Sequence, residues 1–512
     1  MNCVAFILLL PSICQTIASQ WITRTSANII QAQESPSDVV QNFIEHGRQH
    51  PDGTAAFSID MADRGGGKSA GIGVFDSGIG GLTVLEAILT LDSFDNETLR
   101  SGADGRPDFE DEWFFYFGDQ ANMPYGNYPS AGRQDFLREL ILKDAAFLIG
   151  RRYWPTTLSD TPCFTKAPVK AIVIACNTAT AWGLEDIRKV VDAWQVPVFV
   201  VGVVEAGARG VTELIDSSGQ QRTVAVLATV GTCSIQAYPK AIGRAAGIAG
   251  KRVPNVVQRG SVSLAGAIEG DPAFVIPGSA VAVDDSSYLG PAVQNKSAAI
   301  DPAKMDLYGF EEQGLIGDRT RPESLRLNSV VNYVRYDVTT LMKDYQASGG
   351  TSAIDTVVLG CTHFPLVEQE ILDAFARVRA LEVDGSKPFE SLIAERIDIV
   401  DPAELTAMEL FRELARSQKR NVRGKFEPKF EPDQDVSVVR FFMSVANPSC
   451  KEAKREADGS LDRDYKYSRR PGRLNIEDTL CVPMRVSLLP PTSVKLIQSR
   501  LPEVWSRLQE SP

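Results

Sequence analysis

Histidine is nearly absent from this chain: among 512 residues there are three, His46, His50 and His363. That scarcity excludes a catalytic metal held by several imidazoles from the main body of the protein. Cysteine is also sparse, eight in all without a CxxC spacing, which argues against a zinc ribbon or a disulfide framework. Basic residues number 53 against 65 acidic ones, and a net charge of −12 speaks against nucleic acid as a partner. Beyond the N-terminus no unbroken apolar run approaches the roughly 20 residues that span a bilayer, so no membrane span is expected. The one basic stretch with aromatics, "DRDYKYSRRPGR" (462–473), is short and reads as a solvated loop.

What is present is the composition of a globular protein, 44% hydrophobic and 23% charged, in a chain too long for a single ordinary core. Residues 1–20 carry an apolar core from Val4 to Ile13 without a preceding Lys or Arg. The stretch reads either as an export signal or as an overlong reading frame, with Met61 as the internal start. Residues 20–70 are polar and end in "DRGGGKSA", a flexible lead-in.

From residue 71 buried strands alternate with amphipathic helices. "AGIGVFD", "EWFFYFGD", "VKAIVIA", "VPVFVVGVV", "RTVAVLAT" and "DTVVLG" are continuously apolar, as strands covered on both faces must be. The fold class expected from these runs is α/β, with mainly parallel sheets flanked by helices. The expected boundaries are 1–70 for the lead-in, 71–200 for a first domain completed by about 384–450, 201–383 for a second, and 451–512 for a C-terminal extension. Residues 250–325, rich in Gly, Pro, Ser and Asp, read as an insertion over the α/β body.

In parallel sheets ligands bind beyond the carboxyl ends of strands. Asp76 and Ser77, Asp119, Cys176 to Thr178, and Cys361 to His363 all stand there, each before a turn or helix start where unpaired N–H groups favour an anion. A helix N-terminus also lowers a thiol's pKa, which makes a cysteine so placed a base or nucleophile. "IVIACNT" and "VVLGCTH" repeat one arrangement, so the two thiols read as a pair.

The motifs "IGVFDSGIGGLTVL", "YFGDQANMPYG", "IVIACNTATA", "VGVVEAG", "VAVLATVGTCSIQAY" and "VVLGCTHFPLV" resemble, in order, those of the glutamate racemases of the aspartate/glutamate racemase superfamily. The resemblance implies two similar α/β domains with the substrate site between them, and racemisation of glutamate without a cofactor or a metal, supplying the D-isomer for peptidoglycan. It implies that Cys176 and Cys361 face opposite sides of the amino acid's Cα, the first acting on the D-enantiomer and the second on the L-enantiomer. Asp76 then assists Cys176, and His363 assists Cys361. Asp76, Ser77, Asn177, Thr178, Thr362 and His363 hold the substrate, and Pro124, Tyr125 and Gly126 form a loop at the site, with Tyr125 and Gly126 in the pocket floor. The resemblance allows a homodimer, and a cytoplasmic location suits paired free thiols. Glu205 lacks the proline that usually follows it, and "QAN" (120–122) replaces the usual "TAR". Related reactions on aspartate, hydantoins, maleate or malonates keep the same fold, and a binding module on a racemase scaffold is the non-enzymatic alternative.

Overall fold

The computed structural model describes residues 37–56, 67–215, 221–276, 288–318, 320–421, 438–457 and 459–510. The apolar stretch 1–20 and Met61 lie outside them. Twelve strands occur among the described residues: β1 (Gly71–Asp76), β2 (Phe114–Gly118), β3 (Val169–Ile174), β4 (Phe199–Gly202), β5 (Thr223–Thr229), β6 (Asn255–Ser261), β7 (Leu315–Ile316), β8 (Arg326–Leu327), β9 (Ile354–Gly360), β10 (Ile393–Val400), β11 (Val439–Ala446) and β12 (Thr479–Pro483).

They form a six-stranded sheet in the order β12-β11-β2-β1-β3-β4, a four-stranded sheet in the order β10-β9-β5-β6, and the small ribbon β7-β8. All pairs in the first sheet are parallel except β11 with β12. The second sheet is parallel throughout. Every residue of β1, β2 and β3 is buried, which is why these strands read as apolar runs without alternation. The expected α/β class and its mainly parallel sheets are therefore what the chain adopts.

The segment boundaries differ in several places. Strand β10 joins the second sheet, whereas β11 joins the first. Residues 479–483, in the expected extension, add an antiparallel edge to the first sheet. Residues 255–261 are not part of an insertion but the β6 edge of the second sheet, paired along its length with β5. It lies at the edge of the sheet, and its residues are mostly half-buried. Gln258 and Arg259 could therefore stay polar, and the strand carries no apolar run.

The lead-in also contains structure: Ser37–Gln49 is a helix. Its Val39, Val40, Phe43 and Ile44 form one buried stripe against the helices Gln134–Ile149 and Asn177–Ala193. Phe43 stacks on Trp194 with ring centroids 6.3 Å apart. Among the described residues no helix is long and apolar enough to cross a membrane.

Register decides what reaches the carboxyl edges. In the first sheet Asp76 lies opposite Gly118 and Phe75 opposite Ile174, so Asp76, Asp119 and Cys176 leave the sheet at one level. In the second sheet Ala228 lies opposite Gly360, so Thr229 and Cys361 emerge together.

Candidate active site

Cys176 is the N-cap of the helix Asn177–Ala193, and its Sγ accepts a hydrogen bond from the Ala179 N–H at 3.4 Å. The thiol lies 3.7 Å from the Ser77 hydroxyl. Both residues are buried, as is Asp76. One Asp76 oxygen, Oδ2, accepts from the N–H groups of Gly78 and Gly81 at 3.1 and 3.0 Å, while buried Oδ1 makes no hydrogen bond. Burial raises the Asp76 carboxyl above its usual range, against the pull of His363 and the two N–H groups.

The helix N-terminus was expected to favour the Cys176 thiolate. Burial instead pushes this thiol well above its ordinary value, with the Asp76 charge adding to the rise, and the hydrogen bonds from Ala179 and Ser77 only partly oppose it. Cys176 is thus held as a thiol beside an acidic group whose second oxygen is free to take a proton.

The second thiol sits differently. Cys361 precedes a bend and the 3-10 turn Phe364–Val367, not the first turn of a long helix, so the two cysteines do not share one backbone context. The Sγ of Cys361 lies 3.6 Å from His363 Nδ1, and His363 Nε2 is 2.6 Å from the Glu269 carboxylate. Burial alone lowers the imidazole's pKa, but the contacts with Cys361 and Glu269 outweigh it and carry His363 well above its usual value. Glu269 and His363 are each about one-twentieth exposed, so water screens this pair little.

The loop after β1 joins the halves. A Cβ at Gly80 would lie 2.6 Å from Thr362 Oγ1 and 2.4 Å from the His363 ring, a separation that only glycine permits. Thr83 Oγ1 donates to the Thr362 carbonyl at 3.1 Å. One short loop therefore sets Ser77 against Cys176 on one side and meets Thr362 and His363 on the other.

Asn177 Oδ1 accepts from the Tyr238 hydroxyl at 2.7 Å, and Thr178 Oγ1 lies 2.8 Å from Thr229 Oγ1, so both residues face the second half. Gly126 packs directly on Thr229, where a Cβ would come within 2.9 Å. Tyr125 was expected to line the pocket floor. Its side chain instead turns back into the first domain, with its hydroxyl 2.5 Å from Asp119 and 2.7 Å from Asp144, leaving Gly126 to face the other half. Glu205 sits on the helix Val203–Leu214, 3.7 Å from Arg244.

Three participants escaped sequence reasoning. Glu269 lies in the stretch assigned to an insertion, Tyr238 was only the last residue of the motif "VAVLATVGTCSIQAY", and Thr229 was the end of an apolar run read as a strand. For Glu269 the signal was "LAGAIEG", an apolar turn ending in an acid before a glycine. The basic stretch 462–473 is also not a free loop: Arg463–Ser468 is helical, and Arg469 is buried against Asn122, Tyr128 and Asp478. Among the described residues no group of three or more His, Cys, Asp or Glu is arranged to hold a metal ion.

Residues 155–275 match the family described as Asp/Glu/hydantoin racemase. Glutamate racemase from Pediococcus pentosaceus is 23% identical over 393 residues, covering 76% of this chain and 98% of that protein. Glutamate racemase from a Parafrankia strain is 29% identical over 380 residues, covering 74% and 87%. The crystal structure of a glutamate racemase isoform from Bacillus anthracis aligns over 73% of this chain and 89% of its own, at 23% identity and a TM-score of 0.39. By these matches the chain is similar to the aspartate/glutamate racemase superfamily. Within it, the relatives just named are glutamate racemases.

Proposed function

We propose that this protein interconverts L- and D-glutamate by moving the α-proton between two thiols on opposite faces of the substrate. The observation that carries the reading is the placement of Cys176 and Cys361: two buried thiols at the carboxyl edges of two different sheets, bridged by the loop that follows β1. Racemisation needs an acid and a base on opposite sides of one carbon, and two thiols from two sheets meet that need.

In the direction from L to D, Cys361 as thiolate breaks the Cα–H bond and becomes a thiol, with His363 beside it to exchange that proton. The electron pair left on Cα is delocalised into the adjacent carboxylate. Cys176, held as a thiol, then gives its proton to the opposite face and becomes a thiolate. The reverse direction begins at Cys176, whose proton Asp76 Oδ1 can accept. One C–H bond is broken and one formed, so nothing is oxidised or reduced. Backbone N–H groups of the loop after β1, with Ser77, Asn177, Thr178 and Thr362, supply the polar contacts for the carboxylates and the ammonium.

Such an enzyme supplies D-glutamate for peptidoglycan and works in the cytoplasm. The six described cysteines are free, as a reducing compartment would keep them. The test is purified protein in D2O with a chelator and no added cofactor: glutamate racemises and deuterium enters at Cα. Full activity in Cys176→Ala would overturn the two-thiol route. Turnover of aspartate, a hydantoin, maleate or a malonate in place of glutamate would reassign the substrate, and binding without turnover would make the protein a binding module.

A further inference from the structure

The residues beyond 450 reach the site from two directions. On the first half, Lys466 Nζ donates to the Met123 carbonyl at 2.8 Å, and Arg469 donates to Asn122 Oδ1 at 2.5 Å and to the Tyr128 hydroxyl oxygen at 3.1 Å. These contacts hold the loop that carries Pro124 and Gly126.

On the second half, Thr492, at the start of the helix Pro491–Arg500, donates its hydroxyl to the Glu269 backbone carbonyl at 2.8 Å. Its side chain also packs on Gly270, where a Cβ would come within 2.8 Å and where φ is +76°. Farther along, the N–H groups of Glu503 and Val504 donate to the Glu86 carboxylate at 3.0 and 2.7 Å. That tie fastens the C-terminal helix to Leu82–Thr90, which follows the loop after β1.

Glu269 ends a helix of only six residues, Leu264–Glu269. The last carbonyls of a helix lack intrahelical partners, and such ends open readily. A carboxylate carried on a loose end could not hold His363 at one distance. The Thr492 hydroxyl satisfies the end carbonyl and ties Glu269 to the body of the protein.

We propose that Thr492 is a positioning residue for the second thiol: by anchoring Glu269 it fixes the carboxylate that orients His363 beside Cys361. The C-terminal segment is then part of the active site's support. The kinetic consequence rests on the racemase reading, whereas the effect on His363 does not. Charged or titratable groups facing His363 are Cys361 on its own turn, Asp76 from β1 and Glu269 from Leu264–Glu269.

With only three histidines, histidine-selective labelling and NMR titration of the full chain resolve His363 directly, while His46 and His50 serve as internal references. In Thr492→Val the His363 midpoint moves to lower pH, because a loosened Glu269 leaves burial to disfavour the charged ring. Thr492→Ser restores it, and the reference histidines do not move. If Thr492→Val fails to fold, Thr492→Ala gives the same reading with a smaller side chain.

In kinetics Thr492→Val lowers kcat/KM about fivefold, the scale of one neutral hydrogen bond. The loss is equal in both directions, since enantiomers have equal free energies, but the primary deuterium isotope effect grows for L-glutamate. An unchanged His363 midpoint in Thr492→Val overturns the proposal, whatever the activity. A shifted midpoint in a protein whose wild type does not racemise glutamate upholds the positioning role and overturns the racemase reading.

Discussion

Cys176 and Cys361 present the same atom at the carboxyl edge of a buried parallel strand, but their surroundings share little. Cys176 caps a 17-residue helix and faces a carboxyl group, Asp76, raised by burial. Cys361 stands before a short turn and faces an imidazole held by a carboxylate. In the proposed two-thiol route a base that must also serve as an acid needs a partner to take or return its proton, and the two halves offer different groups for it. Similar sequence around the thiols therefore conceals an asymmetry in their support.

The largest expected effect tests whether both thiols are needed. Cys176→Ala and Cys361→Ala each lower kcat by about 10³-fold, the scale of losing a general acid or base, measured by circular dichroism of glutamate. A variant that keeps more than about a tenth of the activity removes that thiol from the mechanism.

Next come the partners. Asp76→Asn and His363→Asn each lower kcat/KM by about 10²-fold. The primary deuterium isotope effect rises on D-glutamate for Asp76→Asn and on L-glutamate for His363→Asn. Both effects on one enantiomer would break the assigned pairing.

A smaller effect concerns stability and pH. His363 titrates above the ordinary 6.5 in the folded protein, so protonating it stabilises the fold. That contribution is complete below the ordinary value and is lost as pH rises through the raised folded one. Glu269→Gln weakens the interaction that sustains it and costs about 2 kcal/mol in mildly acidic solution. In thermal melts the gap from wild type narrows at alkaline pH, and a gap independent of pH would assign Glu269 a packing role only.

The smallest effect on activity comes from outside both half-sites. Phe43→Ala empties a fully buried position and costs about 3 kcal/mol of stability, with kcat/KM within twofold of wild type. A larger loss of activity would bring the helix Ser37–Gln49 into the comparison.

Much of the first sheet was legible because its strands are buried on both faces. "GIGVFD" and "VKAIVI" can satisfy that environment only with unbroken apolar runs, and the polar residues that end them announce the carboxyl edge. Strand β6 was hidden for the converse reason: at a half-exposed edge Gln258 and Arg259 cost little and erase the pattern. Glu269 was hidden with it, since an acid in a Gly- and Pro-rich stretch looks solvated until a distant histidine is found 2.6 Å away. The basic run near 466 misled in the same manner, because Arg469 pairs not only with Asp478 nearby but with Asn122 and Tyr128, more than 300 residues earlier in the chain.

By itself the sequence determined the α/β class, the order of the motifs and the strand ends that carry Asp76, Cys176 and Cys361, all of which follow from local runs and punctuation. Tertiary structure alone decided which groups face each thiol, that Tyr125 turns inward, and that the C-terminal segment reaches Glu269. It also decided the protonation of Cys176: a helix N-terminus is a local feature, but burial and a neighbouring carboxylate come from the whole fold, and here they outweigh it.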